Sequence, residues 1–499
     1  MKKIFSIAAF FLTATCMKAQ VSQEWVQTSN APNLAMYMAM DNAGNIYTAG
    51  SDLLLKYDPL GNLLWSQINS ASALAIDGNG DVIVAGTSTV KYDANGSVLW
   101  TVPITSFFPK SMAIDESNNI YLHGQGPAGL QTVKLNSSGV QQWIATYTGD
   151  FNEGLRKKMV YKNGYIYVTG DVTLTVSPRN PPLRHILTMK YNASTGAQVW
   201  AVTYTHADKQ YQDGKDLVVD GAGNIYVTGR VGVKDGSKTH GNWGTLKYNA
   251  SGTLQWVKFY DGNAIEYDKH NNQLGSDFPY DIAFDNSGNI IVCGRSYTTT
   301  GQFTSDDMTT IKYNPTGTQL WVKTYDGPSH SADFAEAITS DGSSNVYVTG
   351  GTNNTTIKYN SAGDVQWTAN YNGGPGRGLA LLLDNSANVY VCGSAAPNSL
   401  LIKYSQGGGS ITRKDIVPMQ ENVMNQIKLY PNPAANQITI QNINNKMLGD
   451  LRIYDATGKM IYKKFEPNNQ TLIDIKSLSA GIYYLQSDKL QATIKFFKH

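Results

Sequence analysis

"KYNASTGAQVW", residues 190–200, decides how this chain folds. Close variants recur along it: "KYDPLGNLLW" at 56–65, "KYDANGSVLW" at 91–100, "KYNASGTLQW" at 247–256 and "KYNPTGTQLW" at 312–321. Each begins with Lys, ends with Trp and carries a Gly between two short β-prone runs. Such a segment reads as a hairpin whose Gly takes positive φ. The spacing fixes every Trp on the second strand, facing the same way. The series Trp25, Trp65, Trp100, Trp143, Trp200, Trp256, Trp321 and Trp367 is therefore expected to pack one copy against the next. A buried aromatic side chain removes roughly 150–250 Å² from water, enough to dominate such a contact.

Each copy has another half, Asp-x-x-Gly-Asn followed by "IYVTG". It begins at Asp41, Asp77, Asp115, Asp220, Asp285, Asp341 and Asp384, and "YKNGYIYVTG" is an eighth version with Tyr161 in place of Asp. The Lys-Tyr halves start at Lys56, Lys91, Lys134, Lys190, Lys247, Lys312, Lys358 and Lys403. Apolar runs before each Asp and around each Trp supply two more strands, so each copy is a four-stranded antiparallel unit. Such units must stack to bury their faces, and radial stacking makes a β-propeller. The last copy stops at "LLIKYSQGGGS" without a Trp strand, while an orphan "QEWVQTS" precedes the first. The expected body, residues 21–404, is an all-β, eight-bladed propeller closed by its N-terminal strand, or seven-bladed if one copy is misread.

"DGNGD" at 77–81 resembles the start of a calcium loop. An EF-hand loop, however, needs Glu at its twelfth position and flanking helices. Here the twelfth residue is Ser88 and the flanks are strands. The expected structure is a hairpin turn whose Asp side chain accepts backbone N–H bonds. Neither a metal nor a cofactor is expected.

Charged residues make up 16% of the 499, against roughly 25% in an average soluble chain, and Gly is abundant at 47. This suits a β-rich protein with many turns. The formal net charge is +2 with no basic run, which argues against nucleic acid as a partner. Residues 1–20 read as a signal peptide: Lys2 and Lys3, an apolar stretch, then "KAQ". That stretch is short for a membrane span, and no transmembrane segment is expected. Cys293 and Cys392 occupy the same position of different copies, so free thiols are expected.

On the two repeat halves, the chain resembles the β-propeller repeat family of secreted bacterial proteins over roughly residues 21–404. That resemblance implies the fold and no particular activity. The Trp half, most of all "STGAQVW" at 194–200, also resembles the tryptophan-docking motif of quinoprotein dehydrogenases. This makes a quinoprotein-like dehydrogenase the weakest of three functional readings, since neither its calcium site nor its catalytic Asp is assignable. From "SQGGGS" at 405–410 onward, residues 405–424 read as a linker. Residues 425–499 read as strands of a small β-sandwich. They resemble the C-terminal sorting domain of the type IX secretion system of Bacteroidetes. The matching features are Tyr430-Pro431-Asn432-Pro433, Tyr454-Asp455-x-x-Gly458-Lys459, Leu478-x-x-Gly481-Ile482-Tyr483 and the basic end Lys495–Lys498. The resemblance implies passage through the periplasm, engagement of that secretion machinery, export across the outer membrane, removal of the tail, and release or attachment at the cell surface.

Both repeated turns lie on one face of the ring. The opposite face carries long inserts in copies four to six, and variable loops on a rigid scaffold are where binding residues concentrate. Five of the seven His residues fall there: His185, His206, His240, His270 and His330. The binding candidates are His206, Tyr211, Asp213, Tyr267, Asp268, His270, His330 and Asp333, with glycan or a surface protein as partner. No catalytic residue is assigned. Trp243 aligns with Ile186 and Met308, a core position. The leading reading is a binding or structural module, and the rival is an extracellular polysaccharide hydrolase or lyase. The rival requires at least two of His206, His270, His330, Asp213 and Asp268 within hydrogen-bond reach.

Overall fold

The structure is a computed structural model. It describes residues 21–29, 35–104, 107–148, 159–174, 183–208, 211–235, 238–262, 277–300, 303–371, 373–396, 398–406, 427–430, 434–442, 448–455, 460–464, 468–487 and 492–498. Among the described residues every regular element is a β-strand. They fall into two compact units, which divide between Gly408 and Gly409.

The first unit holds eight four-stranded sheets. Seven are built from consecutive strands within 37–68, 73–103, 108–147, 159–204, 212–260, 278–325 and 335–369. The eighth takes three strands from 378–405 and its fourth from the far end of the chain, Ser22–Thr28. That strand pairs antiparallel with Asn398–Ser405 and sets Trp25 opposite Lys403. The register matches the repeat: Lys56 faces Trp65, Lys190 faces Trp200 and Lys312 faces Trp321.

The inner strands, such as Ile46–Ala49 and Val82–Ala85, are buried along their whole length and pack on neighbouring sheets. Eight buried clusters result, each shared by two successive sheets. Tyr167 and Ile186 of sheet four pack on Leu217, Ile225 and Leu246 of sheet five. One cluster joins the last sheet to the first, with Tyr390, Cys392 and Leu401 against Ile46, Leu55 and Tyr57. Fully burying one such aliphatic side chain contributes roughly 1.5–3 kcal/mol, so these clusters hold the sheets side by side.

Turn chemistry follows the sequence. Asp220 Oδ1 accepts the backbone N–H groups of Ala222 at 2.9 Å and Asn224 at 2.8 Å, and the Asn224 amide donates to Oδ2. In the other hairpin, Gly196 has φ 74°. A Cβ there would lie 2.7 Å from the Trp143 ring of the preceding sheet, so Gly meets a backbone and a packing demand together. At "DGNGD" the place a cation would occupy is filled from within: Lys91 Nζ lies 2.6 Å from Asp77 and 3.0 Å from Asp81. Among the described residues no group of three or more His, Cys, Asp or Glu side chains is placed to hold a metal.

Cys293 and Cys392 are free and fully buried. Each thiol points to a carbonyl of the next sheet, Ala335 and Ala35, at 3.6 and 3.5 Å. Burial pushes the Cys392 thiol up to about 12, so it stays protonated and unreactive.

In the second unit, strands Ile427–Tyr430, Gln437–Asn442 and Gln470–Asp474 form one sheet. Leu451–Asp455, Met460–Lys464, Gly481–Ser487 and Ala492–Lys498 form another. Ile438, Ile440, Leu451, Ile453, Ile473 and Leu485 make its buried core.

Candidate functional site

The eight predicted Trp residues end on one side of the sheets, each directed at the sheet that follows. Trp65 Nε1 donates to Ala94 O at 3.0 Å, Trp100 to Ser137 O at 3.0 Å and Trp143 to Ala193 O at 3.3 Å. Trp200 donates to Ala250 O at 3.2 Å, Trp256 to Pro315 O at 3.2 Å and Trp321 to Ser361 O at 3.1 Å. Trp25 donates to Pro59 O at 3.3 Å, which ties the eighth sheet to the first. Trp367 meets a side chain instead, Gln406 Oε1 at 3.4 Å. The Lys opposite each Trp commonly reaches the same acceptor, as Lys56 Nζ does Ala94 O at 2.9 Å.

The other end carries the inserts. Tyr267, Asp268 and His270 lie outside the described residues. The structure brings Tyr211 and Asp213 together: the Tyr211 hydroxyl donates to Asp213 Oδ2 at 2.8 Å, and Lys215 Nζ donates to the same oxygen at 2.9 Å. The His206 ring turns away from this pair, 3.5 Å from Asp208 and edge-on to Phe259, while its backbone N–H donates to Gln212 Oε1 at 3.2 Å. His330 Nδ1 is 2.5 Å from Asp326, in the connection that Asp333 ties down by accepting the Gly327 N–H at 2.9 Å. Thus His206, His330 and Asp213 each find a partner within their own segment. Trp243 is buried, 1% exposed, and donates to Arg295 O at 3.0 Å, a core role.

The dominant feature of this end is a ladder of alternating guanidinium groups and aromatic rings. Arg184 lies 4.8 Å from the Tyr211 ring centre, with Arg230 on that ring's account as well at 5.4 Å. Arg230 and Arg295 flank Phe278 at 4.3 and 4.6 Å, and Arg295 and Arg377 flank Phe334 at 4.7 and 4.5 Å. The ladder runs from sheet four to sheet eight. Every Arg has a carboxylate mate. Asp171 stands 3.9 Å from Arg184, Asp306 2.9 Å from Arg295 and Glu336 3.3 Å from Arg377, while Asp213 faces Arg230 in the strand register. Burial lowers the Arg230 pKa and raises that of Asp306. The stack is thus charge-balanced, buried at Arg230 and open at its end, where the Arg377 side chain is 46% exposed; cation–π contacts are worth about 0.5–1 kcal/mol where exposed and about 2 kcal/mol where desolvated.

A separate knot closes the base of the insert between residues 262 and 277. Asp277 accepts the N–H of Gly262 at 2.7 Å and of Tyr297 at 2.9 Å. Its own N–H donates to Gly241 O at 3.1 Å. Burial pushes its carboxyl up to about 7 against these bonds, and the adjacent Asp261 carboxyl adds to the shift. His240 Nε2 is 3.3 Å from Asp261. A cavity of about 140 Å³ lies on other sheets, lined by Ser70, Gly86, Phe108 and Pro109.

The arginines escaped the sequence reading, which looked to His and Tyr. A signal was there. The residue after the Gly of "IYVTG" is Ser51, Thr87, Gln125, Gly351 or Ser394 in five copies, but Asp171, Arg230 and Arg295 in the three with long inserts.

Residues 428–497 match the family described as the secretion system C-terminal sorting domain. No curated protein matches the chain. The Dos1 propeller is similar in structure with a TM-score of 0.51 at 9% identity, covering 77% of this chain and 95% of that one. The Pan2 WD40 domain of Neurospora crassa gives 0.42 at 9%, covering 77% and 96%. PorZ, a surface component of the type IX secretion system of Porphyromonas gingivalis, gives 0.23 at 12%, covering 93% and 75%. The last two are too distant to carry an argument, and the first shows the fold alone. Among the described residues no helix is long and apolar enough to cross a membrane. The first unit has the β-propeller fold, and residues 428–497 match a type IX secretion-system C-terminal sorting domain, which implies export to the cell surface or secretion.

Proposed function

We propose that this chain is an exported surface module: a closed eight-bladed propeller, residues 21–404, that binds or scaffolds and performs no chemistry of its own. A signal peptide at 1–20 starts export, a linker at 405–424 follows the body, and 425–499 is the sorting tail. The observation that carries the binding reading is the charge-balanced Arg–aromatic ladder, which gives the inserts a rigid base. Closure is supported by the cluster shared between the last and first sheets and by the Trp25 bond to Pro59. The eight Trp residues serve packing. Tyr211, Asp213, His206, His330 and Asp333 belong to the binding face, together with Tyr267, Asp268 and His270, and its partner is a glycan or surface protein.

The test is a glycan-array screen of the secreted protein, followed by Arg295→Met and Tyr211→Ala variants on any hit. Binding weakened by these variants supports the reading. Chain cleavage of a polysaccharide without retention of it would refute it. The rival hydrolase reading is favoured by one observation, the raised Asp277 carboxyl beside Asp261, since a carboxyl kept protonated near neutral pH can serve as a general acid. Loss of turnover in Asp277→Asn would establish that rival.

A further inference from the structure

The eighth sheet lacks a feature that the other seven possess. In each of those, the residue two past the repeat Tyr (Leu135 in the third sheet) turns its backbone carbonyl toward the preceding sheet. These residues are Pro59, Ala94, Ser137, Ala193, Ala250, Pro315 and Ser361. In most junctions the acceptor takes two donors: Ala250 O receives Trp200 Nε1 and Lys190 Nζ, both at 3.2 Å. Ser361 O likewise receives Trp321 and Lys312, both at 3.1 Å. In the eighth sheet the residue two past Tyr404 is Gln406, and the sequence continues into "GGGS" in place of a Trp segment.

The donors of sheet seven are nonetheless met. Gln406 Oε1 accepts Lys358 Nζ at 2.6 Å and Trp367 Nε1 at 3.4 Å. Its Nε2 donates to the Tyr347 hydroxyl at 3.1 Å and to Ala387 O. That hydroxyl donates in turn to Asp341 Oδ2 at 2.8 Å. A side-chain amide has therefore taken over the work of a backbone carbonyl, at the same repeat position, and its N–H group anchors it to its own sheet. Without it, a Lys ammonium and an indole N–H at a sheet junction would lose their acceptor, a loss larger than the net worth of an ordinary hydrogen bond.

We infer that Gln406 is the latch of the ring. The folded body then extends through residue 406, and where the sorting tail is removed by hydrolysis, as the sorting-domain resemblance implies, the bond to which water adds lies C-terminal to that residue. This rests on the reading of a closed ring. Residues 405 and 406 had been assigned to the linker on composition. The latch moves the functional end of the body past them.

The test compares full-length protein with Gln406→Leu, Gln406→Glu and Trp25→Phe by hydrogen exchange. Gln406→Leu should speed exchange on the order of tenfold in Val346–Gly350 and Val365–Ala369. Gln406→Glu keeps the acceptor for Lys358 and Trp367 and should exchange like wild type in Val365–Ala369. Gln406→Leu indistinguishable from wild type, while Trp25→Phe loosens Asn398–Ser405, would overturn the latch and leave the ring standing. No loosening in Trp25→Phe would strike at the ring itself. Intact mass of the released product gives a second reading: a mature C-terminus at or beyond residue 406 supports the latch, and one before it overturns it.

Discussion

Replacing Gly196 by Ala tests the account of the repeated hairpin, because sheet four contains its own control. Gly164, in the other turn of the same sheet, has φ 79° and Gly196 has φ 74°, so an added methyl meets the same backbone penalty at both. That penalty is about 1 kcal/mol for leaving glycine in the left-handed region. The surroundings differ. A Cβ on Gly164 has nothing within 4 Å, whereas one on Gly196 lies 2.7 Å from Trp143 Cδ2 and 2.8 Å from Cε3. Moving a ring held by the Ala193 carbonyl adds roughly 1–3 kcal/mol of overpacking. Gly164→Ala should therefore cost about 1 kcal/mol and Gly196→Ala about 2–4 kcal/mol. The assay is urea unfolding with exchange measured in the strands of sheets three and four. A double-mutant cycle sharpens it: in a Trp143→Ala background the cost of Gly196→Ala should fall to that of Gly164→Ala. Equal costs for the two glycines, or additivity in the cycle, would show that the indole does not rest on that turn.

Three further outcomes are expected. Lys312→Met should lose about 3 kcal/mol in urea unfolding, since it strands the Asp285 carboxylate, 2.6 Å from Lys312 Nζ and fully buried; an unchanged midpoint would mean that the turn's own N–H groups suffice. Asp277 carries a folded pKa of about 7 against 3.8, so the folded state holds a proton that the unfolded state has released between those values. Its contribution is complete below about pH 4 and fades as pH rises through 7, and Asp277→Asn should flatten that part of the stability profile; superimposable profiles would rule out a protonated Asp277. Deleting 425–499 should leave the protein in the periplasm, as read by cell fractionation, and normal surface display without the tail would remove the basis of the sorting assignment.

The architecture was legible because its determinants are periodic. Trp25 stood outside any complete copy, yet the missing Trp strand of the last copy identified its partner at Lys403, 378 positions away. The Asp side chains of the turns were legible for the same local reason. The ladder was harder to read because its members come from different sheets: Arg230 and Phe278 are far apart in sequence and meet only when sheets five and six stack. The cation at Asp77 and Asp81 was likewise invisible as such, since Lys91 belongs to the other repeat half and reaches the turn only across the sheet. Gln406 was assigned to a linker on composition, because nothing in "SQGGGS" distinguishes a side-chain acceptor from an ordinary polar residue.

The pairing of Ser22–Thr28 with Asn398–Ser405 sets a schedule for synthesis and transport. Ser29 and Ser399, whose hydroxyls meet at 2.7 Å, are separated by 370 residues. A ribosome makes the first of these strands long before its mate exists. Until that mate arrives, the early strand must be kept from pairing with the wrong, look-alike edge of another copy. The glutamate beside Trp25 offers a discriminating mark: Glu24 sits 2.7 Å from Lys403, so the late-arriving lysine is met by a charge that the other Trp strands do not carry at that position.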